Sequence, residues 1–197
     1  MNPTFGQTPS QTVGPYFAYG LTSTQYGYPF RALFGSDLAE PRTPGEPIVI
    51  TGRVLDGNGE PIGDAMLEIQ QADSRGHRPA SAADVEASGF RGFGRMGTGT
   101  LPGHHFAFRT VKPGTTPDGQ APHVDVIVSM RGLLVHAFTR FYFDDEAEAN
   151  ARDPVLTSVP ADRRGTLIAV REALPGGVVY RIDIRMQGPG ETVFFDV

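Results

Sequence analysis

The sequence predicts an all-β domain: an antiparallel β-sandwich with a long irregular N-terminal arm and short helical turns. Seven or eight short segments are rich in β-branched or alternating apolar residues, and turns that contain Gly or Pro separate them. Glycine and proline account for 25 and 17 of the 197 residues, and this high share excludes an all-helical bundle. We divide the chain into an arm over residues 1–47 and a sandwich domain over residues 48–197.

The N-terminal arm, residues 1–47, contains seven prolines and eight aromatic side chains but no periodic apolar pattern. A solvated tail lacks such rings, because it has no apolar surface to pack against. The arm therefore packs either on its own domain or on a partner chain. We expect the second arrangement, with residues 1–20 lying against a partner subunit.

Two predicted strands open the sandwich domain. Residues 48–55 are β-branched and end at the turn signal DGNG, residues 56–59. Residues 65–72 alternate apolar and polar side chains, which places one face inside and the other outside. Residues 73–103 are rich in Gly, Ser and Arg, and we predict a long loop there.

The second half of the domain contains the other predicted strands. They are residues 105–111, 124–130, 133–143, 178–186 and a shorter segment at 192–195. Residues 144–151 begin with acidic residues and continue with alanines, so they predict a short helix with a capping aspartate. Residues 161–173 fit either a strand or a short helix.

Composition excludes several classes of function. The chain has no cysteine, which removes disulfides, thiolate catalysis and cysteine-ligated metal sites. Its formal net charge of -5 argues against nucleic acid as the main partner. Neither a signal peptide nor an apolar stretch of membrane-spanning length is visible, so we expect a cytoplasmic protein.

The histidines provide the richest titratable region of the sequence. His123 and Asp125 are two residues apart on one predicted strand, so their side chains share a face. Together with His136 they could form a two-histidine, one-carboxylate iron site. The competing interpretation is that these are ordinary polar groups at strand ends. Residue types alone therefore yield no complete catalytic set.

Eight segments, in order, resemble the intradiol ring-cleavage dioxygenases over nearly the whole chain. They are TPSQTVGPYF (8–17), GRVLDGNG (52–59), LEIQQAD (67–73), FGR (93–95), FRTVKPG (108–114), APHV (121–124), TRFYFDDEA (139–147) and GETVFFD (190–196). Each segment alone is a modest signal, but together they are highly specific. The resemblance implies an antiparallel β-sandwich with an N-terminal arm, in agreement with the strand pattern.

The resemblance also implies that this chain has lost its metal site. Iron-binding members of the family hold Fe(III) with two tyrosines and a His-x-His pair. The corresponding positions here are His105, Thr116, His123 and Asp125, so both tyrosines and one histidine are missing. An arginine that precedes the histidine pair in catalytic chains corresponds to Gln120.

By this resemblance, the chain is a non-metal-binding α subunit with no catalytic residue of its own. An intact β subunit would hold the Fe(III), and the hetero-oligomer of αβ units would use O2 to cleave protocatechuate to 3-carboxy-cis,cis-muconate. We expect Gly14, Pro15, Tyr16 and Arg131 to line the substrate pocket at the subunit interface. Arg131 is expected at a tight turn, with its side chain free to project.

Two interpretations from other classes stay open at this point. One is a self-sufficient non-heme iron dioxygenase that uses His123, Asp125 and His136. The other is a β-sandwich binding module without an enzymatic role.

Overall fold

The computed structural model describes residues 12, 14 and 16–196. The strands of this part are β1 Pro47–Leu55, β2 Met66–Gln71, β3 Phe93–Gly97, β4 His105–Val111, β5 His123–Ser129, β6 Ala137–Phe143, β7 Ile168–Leu174, β8 Gly177–Arg181 and β9 Ile184–Arg185. The helices are α1 Tyr16–Leu21, α2 Ala82–Ser88, α3 Ala147–Asn150 and α4 Pro154–Ser158, with 3-10 turns at Pro102–His104 and Arg164–Leu167. None of these helices is long and apolar enough to cross a membrane.

The strands form one continuous sheet in the order β3-β2-β5-β6-β7-β8-β1-β4, and β9 pairs with β1. Its two ends approach each other, since the Ala107 amide on β4 donates to the Met96 sulfur on β3 at 3.2 Å. The mainly β class is thus confirmed, as a nearly closed sheet. Three pairings, β1–β8, β1–β9 and β6–β7, are parallel, so the sheet is not purely antiparallel. The two-layer sandwich stays a prediction.

Alternation along the strands builds the main core. On β5, the valines at 124, 126 and 128 are fully buried on one face, because every second side chain of a strand points the same way. Large rings fill the interior between the strands, among them Phe106, Phe108, Phe141, Phe143 and Tyr180. A second, smaller cluster contains Ala121, Tyr142, Leu156, Val159 and Leu167. This second cluster supports the start of β5, where the candidate site lies.

The predicted long loop at 73–103 is wrong, because it contains α2 and β3. Ser81 caps α2 by accepting a hydrogen bond from the Asp84 amide, and Gly89 ends the helix with a left-handed φ of 71°. The Gly-rich composition of this segment does not favour a strand. Gly94 is required there because a Cβ would lie only 2.4 Å from the Leu38 side chain.

Three other predicted elements change their limits. The strand predicted at 133–143 begins only at Ala137, and α3 has Glu146 at its N-cap with no side-chain hydrogen bond, rather than a capping aspartate. Residues 161–173 combine a 3-10 turn with the start of β7. The strand predicted at 178–186 is interrupted after Arg181, because the Asp183 carboxylate accepts the Arg53 amide at 2.8 Å in place of a backbone carbonyl.

The described part of the N-terminal arm packs on its own domain. The Gln25 side chain donates to the Gly97 carbonyl at 2.7 Å and accepts from the Gly97 amide at 2.9 Å. Leu38 is completely buried, but other large apolar side chains of the arm remain exposed: Phe17, Tyr28, Phe30, Leu33 and Phe34. The predicted contact of residues 1–20 with a partner stays a prediction, and most of these residues lie outside the described part.

Candidate functional site

The candidate site begins on two neighbouring antiparallel strands. His123 pairs with Tyr142, and Asp125 pairs with Arg140, where β5 runs beside β6. Because the valines of β5 face the core, His123 and Asp125 project from its opposite face. They are nevertheless buried, with only 3% and 9% of their surface exposed.

Together with neighbouring loops, these side chains form an open cavity of about 510 Å³. We call it the Asp125 cavity. It is lined by Gly76, His77, Arg78, Thr116, Pro117, Asp118, Gln120, His123, Asp125 and Arg140. A volume of this size is typical of small-molecule sites, roughly 300–1,000 Å³.

Asp125 connects two arginines from different parts of the chain. Its Oδ2 lies 2.6 Å from Arg78 Nη2, and its Oδ1 lies 2.9 Å from Arg140 Nε. Arg140 Nη1 also donates to Gln120 Oε1 at 2.6 Å. The Asp125 and Arg140 side chains are only 12% and 15% exposed, so water screens this network little.

His123 is held in one orientation by the backbone. Its Nδ1 lies 2.7 Å from the Ala121 carbonyl oxygen, and since a carbonyl only accepts, we assign the proton to Nδ1. Burial lowers the pKa of His123, which favours the neutral ring. The other nitrogen, Nε2, carries a lone pair and lies 3.8 Å from Asp125 Oδ1.

A buried carboxylate, Asp153, holds the segment just before β5 in place by hydrogen bonds. It accepts from the Ala121 amide at 2.8 Å, the Tyr142 hydroxyl at 3.1 Å, and the amides of Val155 and Leu156 at the start of α4. Burial raises the pKa of Tyr142, so its phenol stays protonated and donates to Asp153. Asp153 therefore positions Ala121 and, through it, His123.

Four positions of this chain correspond to the metal ligands of iron-binding relatives, and the structure brings three of them together. Thr116, His123 and Asp125 line the Asp125 cavity, as does Gln120. His105 does not join them: it pairs with Arg53 on β1, and its Nδ1 lies 2.7 Å from the Pro102 carbonyl oxygen. The cavity contains His77 instead, which sequence reasoning did not single out.

The proposed triad of His123, Asp125 and His136 is wrong. His123 pairs with Tyr142, six residues along the chain from the exposed His136, which corresponds to roughly 20 Å along a strand. The two histidines therefore lie at opposite ends of the β5–β6 pair. In the described part of the chain, no group of three or more His, Asp or Glu side chains is arranged to hold a metal ion.

The residues of the Asp125 cavity do not fit Fe(III). Two guanidinium groups already pair with its one buried carboxylate, and they would repel a trivalent cation. The Thr116 hydroxyl donates to Asp118, and no tyrosine is among the residues that line the cavity. The buried phenol of Tyr142, on the strand beside Asp125, donates to Asp153.

The predicted interface residues fall partly outside the described chain. Pro15 is not described, and Tyr16 is described only as the first residue of α1. Arg131 is 64% exposed but pairs with Asp64, so its side chain is not free as expected. The Gly132 amide next to it donates to the Thr12 hydroxyl at 3.0 Å, which brings the arm near Gly14 to this turn.

Sequence reasoning missed both arginines of the cavity, Arg78 and Arg140. A signal existed for Arg140: it lies in a strand, on the same face as the buried Tyr142, where an unpaired charge would be costly. Such a position calls for a carboxylate on the next strand, and Asp125 provides it. Arg78 lies in a loop 47 residues before Asp125, and no local pattern connects them.

Comparison with known proteins places this architecture in a family. A family model described as a dioxygenase matches residues 32–188. The protocatechuate 3,4-dioxygenase alpha chain of Burkholderia cepacia is 60% identical over 195 residues, which cover 98% of this chain and 99% of that protein. The chain belongs to the intradiol dioxygenase family.

Other members of the intradiol dioxygenase family agree with this assignment. The Pseudomonas putida protocatechuate 3,4-dioxygenase alpha chain is 45% identical over 196 residues and 96% of each chain. The beta chain from Burkholderia cepacia is 31% identical over 134 residues, which cover 64% of this chain and 56% of that one. The chain is thus more similar to alpha chains than to this beta chain.

Solved structures show the same fold at low sequence identity. A dioxygenase domain of a carbohydrate-binding fusion protein from Streptomyces sp. SirexAA-E superposes with a TM-score of 0.63 at 22% identity, over 82% of this chain and 94% of that one. An intradiol ring-cleavage dioxygenase from Tetranychus urticae gives a TM-score of 0.59 at 18% identity, over 84% and 93%.

Proposed function

We propose that this chain is the alpha subunit of a protocatechuate 3,4-dioxygenase, an intradiol enzyme built from αβ units. The observation that carries the proposal is 60% identity to an alpha chain over essentially the full length of both proteins. The reaction uses O2 to open the ring of protocatechuate between its hydroxyls, giving 3-carboxy-cis,cis-muconate. The alpha chain forms the enzyme together with a beta chain.

We assign the ferric ion of this family to the beta subunit. The support is electrostatic: in this chain the corresponding cavity holds Arg78 and Arg140 on either side of Asp125, and a metal there would face two positive charges. This chain therefore contributes structure and pocket walls, and it supplies no catalytic residue.

We place the contribution of this chain to the substrate pocket at the turn after β5. Thr12 and Gly132 connect the arm to this turn, so Gly14 and Arg131 lie in one region, and Pro15 and Tyr16 follow Gly14 in the chain. Protocatechuate carries a carboxylate, and a guanidinium is suited to bind it. The exposed rings of the arm, from Phe17 to Phe34, offer the apolar surface that a subunit interface needs.

The test is to purify the chain alone, its beta chain alone, and both after co-expression. We expect the isolated alpha chain to contain no stoichiometric iron and to show no turnover. The co-expressed complex should consume protocatechuate and O2 and show the red-brown charge-transfer band of Fe(III)–tyrosinate, at one iron per αβ unit. Turnover by the isolated alpha chain, or failure of the two chains to assemble, would contradict the proposal.

A further inference from the structure

Asp64 and Arg131 form an ion pair across two neighbouring strands, just beyond the end of their ladder. β2 and β5 are antiparallel, and Met66 pairs with Ser129 in their register. Two residues further on, the same register places Asp64 opposite Arg131. The Arg131 Nε donates to Asp64 Oδ2 there. Opposite charges that face each other across an antiparallel pair attract, so the geometry of the sheet brings these two side chains together.

The turn that carries Asp64 is anchored on both sides by one buried residue. The hydroxyl of Thr98 donates to the Ile62 carbonyl at 2.6 Å, and its amide donates to the Ala65 carbonyl at 2.9 Å. Thr98 and Ala65 are both fully buried. Asp64 lies between the two anchored carbonyls. Because these neighbours hold its backbone, its carboxylate is presented from a supported position.

Arg131 lies in a much less supported segment. It follows β5 in a turn whose next residue, Gly132, has a left-handed φ of 91°. Leu134 and Val135 in the same segment are exposed, and so is the Arg131 side chain. A long arginine side chain at such a position has many rotamers, and it must give most of them up when it binds a ligand. The bond to Asp64 restricts these rotamers before a ligand arrives.

The bond to Asp64 occupies one edge of the guanidinium of Arg131. Arg131 donates through Nε, and a guanidinium has five N–H donors in a planar fork. The Nη edge can bind a second carboxylate through two parallel N–H bonds. This arrangement requires the fork to face the ligand, and the bond at Nε sets the plane in which the fork lies.

We propose that Asp64 is a positioning residue, which holds the Arg131 guanidinium with its Nη edge turned toward the ring carboxylate of protocatechuate. This inference rests on the proposed function, which places Arg131 in the substrate pocket. Asp64 acts through Arg131 by reducing the conformational freedom that this side chain loses on binding. The negative charge of Asp64 also repels the substrate carboxylate. Salt screens that repulsion, whereas it leaves the restriction of rotamers in place.

The first experiment measures the ion pair in the full chain alone, by heteronuclear NMR of the arginine Nε–H groups. The Arg131 signal is identified by its absence in Arg131→Lys. We expect its proton to exchange with water at least about 5-fold faster in Asp64→Ala than in the parent chain, because the acceptor is gone. Asp37→Ala is the matched control, since Asp37 forms an exposed ion pair with Arg109. Exchange that is equally fast in the parent and in Asp64→Ala would overturn the proposal.

The second experiment measures the kinetics of the αβ complex in about 1 M NaCl, where the Debye length is only about 3 Å and the repulsion is screened. We expect Asp64→Ala to lower kcat/KM for protocatechuate about 3- to 10-fold, chiefly through KM. Catechol lacks the carboxylate, so its kcat/KM should change less than about 2-fold. Asp64→Glu should recover part of the loss, and Asp37→Ala should match the parent. In an Arg131→Ala background, Asp64→Ala should have no further effect.

The outcomes separate this inference from the proposed function. An inactive parent complex would refute the proposed function and, with it, the substrate role of Asp64, while NMR still reports on the ion pair. An active parent complex would overturn the role of Asp64 alone if Asp64→Ala lost nothing or lost equally on both substrates. The same loss in the Arg131→Ala background would also overturn it, because Asp64 would then not act through Arg131.

Discussion

Asp153 offers a direct test of how the candidate site is supported. The Asp153→Ala variant removes a fully buried carboxylate that accepts four hydrogen bonds, from Ala121, Tyr142, Val155 and Leu156. Loss of the helix cap on α4 costs about 1 kcal/mol. The Ala121 amide and the Tyr142 hydroxyl are left unpaired, at about 1–3 kcal/mol each. We therefore expect the free energy of unfolding to fall by about 3–7 kcal/mol.

Urea denaturation measures this loss, and circular dichroism is the suitable signal because the chain has no tryptophan. With a slope of about 1–3 kcal/mol per molar urea, the midpoint should fall by at least about 1 M. Asp153→Asn keeps one acceptor oxygen for the helix cap and should lose less. The exposed Asp162→Ala is the control and should stay within about 0.5 kcal/mol of the parent. A loss below about 1 kcal/mol for Asp153→Ala would refute the reasoning.

Three further predictions concern the interface and the buried histidine. Deletion of residues 1–17 should weaken assembly with the beta chain and lower turnover together, as gel filtration and O2 uptake would show; unchanged values for both would contradict the interface. Arg131→Ala should reduce kcat/KM for protocatechuate roughly 10- to 150-fold, from a charge-assisted hydrogen bond, and reduce it much less for catechol; equal losses would remove the carboxylate role. Burial lowers the pKa of His123, so the unfolded chain binds more protons as the pH falls through about 6.5, and stability decreases there. The slope of the free energy of unfolding against pH, measured by urea titrations, should fall by up to about 1.4 kcal/mol per pH unit in His123→Gln. An unchanged slope would show that His123 does not cause this pH dependence.

The strands that sequence alone could place are those with clear alternation. β1, β2, β4 and β5 lie within one or two residues of the predicted segments, because a two-residue period reports directly on a half-buried strand. β3 was missed because its glycines have no side chain to show the pattern, and only the close packing of Leu38 explains why Gly94 is there. α2 was missed although its Ser81 and Gly89 caps are visible in the sequence.

Sequence reasoning could predict only part of the candidate site. Resemblance to the family pointed to Thr116, His123 and Asp125, and these do meet. It could not show that His77 lines the cavity and that His105 does not. The register between β5 and β6, which separates His136 from His123, is a tertiary property.

The sequence by itself determined that the domain is mainly β and that cysteine chemistry is impossible, because these follow from local alternation and composition. Its resemblance to the family implies in addition that the tyrosines of a ferric site are missing. Only the tertiary structure decided what replaced the metal site. Asp125 meets Arg78 across 47 residues of chain and Arg140 across a strand pair, and these contacts depend on loop closure and strand register. Local sequence does not encode either of them, because each is set by how the whole sheet packs.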